Sequence, residues 1–387
     1  MKRLVVFALF VVLGLFFNVG TFAQDQQERP ARLTVEQSIG NWMRMDADSN
    51  GTISEEESRG LMKSNFGRVD ENSDGVLDRE ELLHLAQRLR GQQDNARQQP
   101  NRPQQGMSTE QVLARAPEGV RVVPDIAYRE GDSRAWRLDL VMPEEESDEL
   151  RPGIVFVHGG GWRSGDKRAG SFLNGAFEYA QKGYVCITIN YRLTGEAPFP
   201  ACIEDVKCAV RWFRANSEEY GLDPERLGGY GNSAGAHLVA VLGLIGPDAE
   251  LEGDGPHQDQ SSMIQAVCCS ATPTDFTLFG ARAGGDHTGA GGISAESAEA
   301  LRERLMKYSP ISYVDEDAPP FLVIHGTADR TVDVAHGDQF VEKLEEVGAE
   351  DVTYIRVDGA GHGVYGSHAA QTKPAMEAFF ERTLRGE

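Results

Sequence analysis

Short apolar runs alternate with amphipathic stretches from about residue 150 to the end of the chain. The runs are rich in β-branched residues, which is typical of buried strands, and the intervening stretches carry apolar residues at helical spacing. Strands that alternate with helices predict a mostly parallel, doubly wound sheet with helices on both faces. The predicted strands are Ile154–His158, Val185–Asn190, Leu227–Gly231, Ile264–Cys269, Phe321–His325 and Val352–Val357.

Two further runs precede this alternation. Val120–Tyr128 and Arg137–Met142 are expected to form an antiparallel pair that leads into the sheet. Before them, residues 91–107 are rich in Gln, Asn, Arg and Pro, and cannot bury enough apolar surface to fold. The sequence therefore predicts a flexible linker at 91–117, between a small region at 33–90 and a large α/β domain at 118–387.

The small region at 33–90 contains two acidic loops, at 46–57 and 70–81. Each loop has oxygen-bearing side chains at spaced positions, a glycine at its sixth position, and a glutamate at its twelfth. Calcium takes six to eight hard oxygen ligands on a flexible arc, so the pattern predicts calcium binding. The candidate ligands are Asp46, Asp48, Asn50, Thr52, Ser54 and Glu57 in the first loop, and Asp70, Asn72, Asp74, Val76, Asp78 and Glu81 in the second, with Thr52 and Val76 contributing their backbone carbonyls.

Residues 33–90 thus resemble a pair of EF-hands, which implies a small all-α domain that binds Ca²⁺. Thr34 and Gln37 form a capping box at the start of the entering helix. Only Ser58–Val69 separates the two loops, so the middle helix is expected to be short or shared. This spacing favours a structural or tethering role over the large opening of a calcium sensor.

A glycine-flanked serine follows the third predicted strand, in the segment Gly231-Asn-Ser233-Ala-Gly235. Glycines at this spacing allow a strained turn from strand to helix that exposes the serine oxygen. The segment His158-Gly-Gly-Gly-Trp162 follows the first predicted strand, and its backbone can approach a developing oxyanion closely. The candidate oxyanion donors are the N–H groups of Gly160, Gly161 and Ala234.

An aspartate and a histidine also follow strand ends, as Asp329 in His-Gly-Thr-Ala-Asp and His362 in Gly-Ala-Gly-His-Gly. Open α/β sheets bind ligands beyond the carboxyl ends of their strands, and the chain order is Ser, Asp, His. Asp333 is the alternative acid to Asp329. The other histidines are expected to be structural, with His158 shaping the glycine loop, and Trp162 either lines a substrate pocket or packs.

These motifs make residues 118–384 similar to the α/β-hydrolase family, in particular to its HGGG-bearing esterases. The segments that begin at Asn190, Phe199 and Tyr220 resemble those of secreted acetylesterases and feruloyl esterases acting on plant polysaccharides. The resemblance implies a serine carboxylesterase with Ser233 as nucleophile, His362 as general base and Asp329 as the group that orients the imidazole.

The resemblance also implies small or polysaccharide-linked esters as substrates, with acetyl or feruloyl groups on carbohydrate favoured, and no cofactor for the chemistry itself. A peptidase or a lipase on the same fold is the enzymatic alternative. Residues 280–293, however, are Gly-rich where a lipase needs a long apolar lid. A non-catalytic, calcium-dependent binding protein is the alternative from another class.

The N-terminus predicts export. Lys2 and Arg3 precede the apolar run Leu4–Phe17, and Thr21-Phe-Ala23 supplies small residues for a cleavage site. A signal peptide is therefore expected at 1–23, giving a periplasmic or secreted protein without a membrane span after cleavage. An uncleaved membrane anchor is the alternative.

The net charge and the cysteine spacing argue against two kinds of ligand, nucleic acid and zinc. A net charge of −22 argues against nucleic acid as a partner, because an acidic surface repels phosphate. The cysteines are Cys186, Cys202, Cys208, Cys268 and Cys269, and their spacing matches no zinc site. Their apolar surroundings favour buried thiols over disulfides, although a disulfide among them stays open.

Overall fold

The computed structural model describes residues 35–58, 66–70, 72, 74–87, 106–279 and 297–386. The chain divides into two compact units, at residues 1–101 and 102–387. The expected signal peptide, residues 91–105 of the expected linker and the Gly-rich segment at 280–293 lie outside the described residues. In the part of the chain that is described, no helix is long and apolar enough to cross a membrane.

The first unit consists of short helices around two paired loops. Its helices are α1 (Val35–Trp42), α2 (Phe66–Val69) and α3, which includes residues 79–87. Strands β1 (Ile53–Ser54) and β2 (Val76–Leu77) pair antiparallel, with Ile53 opposite Leu77. Both of these side chains are fully buried, in a small core with Ile39, Phe66, Val69, Leu82 and Ala86. The first unit therefore has a hydrophobic core of its own.

The second unit begins with a helix in what the sequence predicted to be a linker. Helix α4 spans Thr109–Arg115, and Ser108 and Gln111 form a capping box at its start. Val112 on this helix is fully buried against the second unit. The second unit thus already includes residues 106–117, which the sequence assigned to the linker. A single buried side chain on a short polar helix gives no apolar periodicity, which is why the sequence did not indicate it.

An eight-stranded sheet forms the centre of the second unit. Its strands are β3 (Val120–Ala127), β4 (Arg137–Pro143), β5 (Arg151–Val157), β6 (Val185–Ile189), β7 (Leu222–Asn232), β8 (Ala266–Ser270), β9 (Phe321–Gly326) and β10 (Val352–Val357). They lie in the order β3-β4-β6-β5-β7-β8-β9-β10. Strands β5 to β10 are parallel, whereas β3 and β4 form the antiparallel pair that the sequence predicted.

Helices cover both faces of this sheet. They are α5 (Gly170–Ala180), α6 (Ala201–Ala215), α7 (Ser217–Tyr220), α8 (Ala234–Leu244), α9 (Ala298–Lys307), α10 (Ala335–Glu346), α11 (Val364–Ser367) and α12 (Ala369–Phe380). Alternate residues of β5 face opposite cores: Val155 and Val157 pack with α6, α8 and α10, whereas Ile154 and Phe156 pack with α5 and α12. The mostly parallel, doubly wound architecture is therefore as predicted.

All five cysteines are free, buried thiols. Cys202 and Cys208 lie on the same helix, α6. Burial raises the pKa of each thiol above its ordinary value, which disfavours the reactive thiolate. The cysteines therefore act as small apolar residues of the core, in agreement with the interpretation from the sequence.

Candidate active site

Ser233 lies in the sharp turn between β7 and α8. Its backbone has φ 55° and ψ −122°, a conformation that residues other than glycine rarely adopt. A Cβ on Gly231 would lie 2.3 Å from the carbonyl carbon of Gly235, and a Cβ on Gly235 would lie 2.1 Å from the carbonyl oxygen of Val157. The flanking glycines thus allow the turn to close and to pack on the end of β5. The strained turn places Ser233 at the carboxyl edge of the sheet.

Asp329 and His362 meet at the ends of neighbouring strands β9 and β10. His362 Nδ1 lies 2.8 Å from Oδ2 of Asp329. The Asp329 side chain is fully buried and the His362 ring is 29% exposed. The backbone N–H groups of Thr331 and Val332 donate to Oδ1 of Asp329 at 2.8 and 3.0 Å. The carboxylate is therefore fixed by two backbone donors on one oxygen and by the imidazole on the other.

These contacts also fix the charge of Asp329. Burial alone raises the pKa of the carboxyl group, but the nearby rings of His325 and His362 and the two backbone N–H groups outweigh it, so the pKa lies well below its ordinary value. Asp329 is thus an anion throughout the neutral range. An anionic partner at Nδ1 requires a proton there, which leaves Nε2 of His362 free to accept one.

The structure joins Asp329 to His362, but it does not join His362 to Ser233. Within the described residues, Ser233 Oγ makes no hydrogen bond, and the backbone N–H of Ser233 donates to the carbonyl of Ser270 at 2.9 Å. Contacts between a nucleophile and its base are often long before substrate binds and tighten in the complex. The arrangement is consistent with the predicted triad, with one of its two contacts formed.

The glycine loop lies against the serine turn. A Cβ on Gly159 would lie 2.7 Å from the carbonyl oxygen of Asn232, so the two backbones are in direct contact. Gly160 and Gly161 have φ values of 118° and 61°, which favour glycine. Across the described parts of the chain, the N–H groups of Gly160, Gly161 and Ala234 donate to no protein oxygen. The three predicted oxyanion donors are therefore available to a ligand.

His237 is structural, as expected from its place inside a helix. It is fully buried on α8, its Nε2 donates to the carbonyl of Tyr308 at 2.8 Å, and its Nδ1 accepts from Nε1 of Trp162 at 3.3 Å. Burial lowers its pKa from 6.5 to about 4, so the ring is neutral. Trp162 is only 3% exposed and packs on Phe199 and Phe276, which assigns it the packing role rather than the pocket role.

His325 is closer to the triad than the sequence indicated. It is fully buried, its Nε2 donates to the carbonyl of Val332 at 3.0 Å, and the same nitrogen lies 3.6 Å from Oδ2 of Asp329. His325 therefore places a second imidazole next to the carboxylate of Asp329. The motif places His325 at the end of β9, but spacing alone does not show which way the ring turns. Asp333, the alternative acid, instead accepts from the N–H of Ala335 at the start of α10.

The first acidic loop wraps its backbone around its own carboxylates. Glu57 accepts from the N–H groups of Ala47 at 2.8 Å and Ser54 at 2.9 Å, one on each carboxylate oxygen. These bonds, of which those to Ser54 are the strongest, lower the pKa of Glu57 to about 2. Carboxylate oxygens of Asp46, Asp48 and Glu57 lie within 4.8 Å of one another. The donor set and its spacing fit a hard cation such as Ca²⁺.

The second acidic loop repeats these bonds. Asp70 Oδ2 accepts from the N–H of Gly75 at 3.0 Å, as Asp46 Oδ2 accepts from Gly51 at 2.9 Å. Glu81 Oε2 accepts from the N–H of Asp78 at 3.0 Å, as Glu57 does from Ser54. Asn72 replaces a carboxylate at the third position of this loop, but Asp74 and Asp78 stand where the first loop has Asn50 and Ser54, so the second ligand set has four carboxylates against three.

Comparison with known proteins identifies the family of the chain. The model of the BD-FAE family matches residues 138–344, which is more than half of the chain. The chain belongs to the BD-FAE family. Ser233, Asp329 and the glycine loop lie inside the matched region of this BD-FAE chain, whereas His362 and the acidic loops lie outside it.

Individual relatives of the BD-FAE chain are esterases. It is 31% identical over 258 residues to esterase LipC of Mycobacterium tuberculosis, a match over 64% of this chain and 62% of LipC. The chain thus spans about three fifths of the curated relatives that it matches.

Solved structures give the same result over a larger share of their length. A truncated carbohydrate esterase from gut microbiota is 27% identical with a TM-score of 0.57, over 68% of this chain and 96% of that one. A thermophilic esterase from the planctomycete Thermogutta terrifontis is 26% identical with a TM-score of 0.55, over 68% and 92%. These similarities establish the α/β-hydrolase fold of the second unit.

Proposed function

We propose that the protein is a serine carboxylic ester hydrolase. The observation that carries the proposal is the 2.8 Å contact between His362 and the buried Asp329, at the same carboxyl edge of the sheet as a serine held in a strained turn. In this mechanism His362 Nε2 takes the proton of Ser233 as Oγ attacks the ester carbonyl. The anionic tetrahedral intermediate is stabilised by the free N–H groups of the glycine loop and of Ala234.

Collapse of this intermediate completes the first half of the reaction. The protonated His362 donates its proton to the leaving alcohol, which leaves the acyl group on Ser233. A water molecule then enters, His362 takes a proton from it, and a second tetrahedral intermediate releases the acid and restores the serine. Asp329 stays ionised throughout and keeps the proton-accepting nitrogen directed at the serine.

Replacing the nucleophile tests this mechanism. Ser233→Ala should abolish hydrolysis of p-nitrophenyl acetate while circular dichroism and the melting temperature stay those of the wild type. Ser147→Ala is the matched control, because Ser147 is exposed in the turn between β4 and β5 and only caps that turn. Turnover retained in Ser233→Ala would contradict the proposal.

We further propose acetyl or feruloyl esters of carbohydrate as the substrates. The support is indirect: one structural neighbour is a carbohydrate esterase, and another is a bifunctional GH43-CE protein from Bacteroides eggerthii that is 28% identical. Rates on acetylated xylan, feruloylated sugars, peptides and long-chain acyl esters, measured side by side, test this choice. A preference for long-chain esters or for peptides would favour the lipase or peptidase alternative.

We also propose that the acidic loops bind Ca²⁺, with the ligands predicted from the sequence, in a structural or tethering role. The clustered oxygens of Asp46, Asp48 and Glu57 support the proposal. Calorimetric titration of the full chain should detect calcium at the weak affinities of extracellular modules. Glu57→Gln should remove binding at the first loop and the neighbouring Glu55→Gln should not. Absence of binding at millimolar calcium would contradict it.

Finally, we propose that the protein is exported to the periplasm or secreted. The support is the N-terminal sequence itself, with its basic start, apolar run and small residues before position 24. The mass of the mature protein, isolated from the periplasm or the medium of a bacterial expression host, should correspond to a chain that starts at Gln24. A full-length chain retained in the membrane fraction would support the uncleaved anchor instead.

A further inference from the structure

A cluster of four charged side chains lies beside the glycine loop, on the edge of the sheet formed by β3 and β4. Asp139 on β4 has no exposed surface, and it accepts from Nζ of Lys167 and from Nε of Arg168, the latter at 2.6 Å. Asp125 on β3 accepts from the same two cations, at 2.9 and 2.7 Å. We call these four residues the anchor cluster. Its two cations and two carboxylates balance in charge.

Stability alone gives a poor reason for such a cluster. In many proteins the free energy of desolvating buried ions exceeds the free energy gained from their attraction. Apolar residues of similar volume often stabilise the fold equally well. Multiple short hydrogen bonds between buried charges do fix geometry, because a displaced partner leaves an unpaired charge in a dry environment. The anchor cluster therefore holds the backbone at residues 167–168 in one position against β4.

This position is two residues from a tight contact with the glycine loop. Gly165 has φ 121°, and a Cβ on it would lie 2.2 Å from Nδ1 of His158 and 2.6 Å from the carbonyl oxygen of Gly159. In the same way, a Cβ on Gly160 would lie 2.0 Å from the carbonyl oxygen of Ser164. These contacts leave the loop no space to move within itself. A shift of the backbone at residues 167–168 therefore also moves the N–H groups of Gly160 and Gly161.

Further bonds hold the far end of the loop to the same edge. The N–H of Lys167 donates to Oδ1 of Asn190 at the end of β6, at 2.6 Å. Arg168 Nη1 donates to the carbonyl of Met107 at 2.9 Å, and Thr109 Oγ1 donates to Asp125 at 2.6 Å. The anchor cluster thus ties together the loop, the sheet edge and the segment that leads into α4. A cleft of about 670 Å³ opens over this point and includes Asp125, Lys167 and Arg168 in its lining.

We infer that the anchor cluster positions the oxyanion donors of the glycine loop. Lys167 and Arg168 are positioning residues that act through the loop and touch no reacting atom. The inference rests on the proposed ester hydrolysis, since only that reaction gives the loop N–H groups an oxyanion to bind. It predicts that damage to the cluster lowers the rate of the chemical step and leaves ground-state binding of the ester largely unchanged.

Lys167→Met tests the inference, with Lys207→Met as its matched control. Lys207 is also a fully buried lysine, and it pairs with Glu252 at 2.7 Å and donates to Ser262 at 3.0 Å, on α6 and away from the glycine loop. Both variants should lower the melting temperature. Only Lys167→Met should also lower kcat for p-nitrophenyl acetate, by about 10²-fold as expected for a misplacement of about 1 Å, with KM within about twofold.

A conservative variant and a milder one complete the test. Lys167→Arg keeps the charge and the reach, and it should restore most of kcat. Asp125 has a side chain that is 47% exposed, so Asp125→Asn should fold even where Lys167→Met does not, and it should lower kcat about tenfold at unchanged KM. The inference is overturned if the folded variants of the anchor cluster match Lys207→Met in kcat. If the wild type lacks esterase activity, the proposed function itself fails.

Discussion

The sharpest prediction concerns Asp329→Asn, because the structure dictates how the new amide must sit. The backbone N–H groups of Thr331 and Val332 both donate to Oδ1 of Asp329. In the variant only the amide oxygen can accept these bonds, so the NH₂ group must take the place of Oδ2. That position faces Nδ1 of His362 at 2.8 Å. A donor there requires Nδ1 to accept, which moves the ring proton to Nε2.

The wrong tautomer removes the general base. With its proton on Nε2, His362 presents an N–H to Ser233 and takes no proton from it. A substitution of this kind lowers kcat by about 10⁴-fold in a serine protease triad, which corresponds to a barrier about 5 kcal/mol higher. The N–H groups of the glycine loop and of Ala234 are untouched, so a residual rate above that of water and a KM close to that of the wild type should persist.

The assay is steady-state hydrolysis of p-nitrophenyl acetate at neutral pH, with circular dichroism as the check on folding. Asp333→Asn is the matched control: the Asp333 side chain accepts from the backbone N–H of Ala335 at the start of α10, and its substitution should leave kcat within about twofold. An Asp329→Asn enzyme that folds and retains a tenth or more of the wild-type kcat would refute the assignment of the acid.

Gly235→Ala should lower the melting temperature by roughly 3–10 °C, since its Cβ would meet the carbonyl oxygen of Val157 at 2.1 Å, whereas Gly246→Ala has open space around it and should not. The pKa of His237 is lowered by burial from 6.5 to about 4, so the unfolded chain binds a proton in this window that the folded chain does not. The free energy of unfolding should therefore fall by about 3 kcal/mol as the pH drops through that window, and chemical denaturation of His237→Gln should show a smaller fall. Chelation of calcium, or Glu57→Gln, should leave kcat within about twofold, because the loop and the triad belong to separate compact units; a loss of activity would indicate a calcium effect on catalysis.

The sheet could be predicted from the sequence because its strands are buried on both faces. Val155 and Ile154 pack in opposite cores, so β5 is a continuous apolar run that differs clearly from the helices around it. The strand β10 has the same bounds in the prediction and in the structure. Helix α4 could not be predicted, since it buries Val112 alone, and Leu113, its other large apolar residue, is 48% exposed.

The candidate site could be predicted in part, for a similar reason. The residues that lie on strand ends, such as Ser233 and Asp329, are marked by glycines that the backbone geometry requires. Residues whose role depends on the direction of the side chain have no comparable feature in the sequence. His325 turns toward Asp329, and Lys167 reaches Asp139 across 28 residues of sequence, as only the packed structure reveals. A lysine followed by an arginine in a polar loop otherwise indicates a solvated surface.

Covalent labelling tests the central claim, a nucleophilic Ser233, most directly. The wild-type chain is treated with a fluorophosphonate and its intact mass is measured, followed by peptide mapping of the adduct. A nucleophilic Ser233 should give one adduct per chain, on Ser233, with loss of p-nitrophenyl acetate hydrolysis in proportion to labelling and no adduct in Ser233→Ala. An adduct on another residue, or full activity in the labelled enzyme, would contradict it.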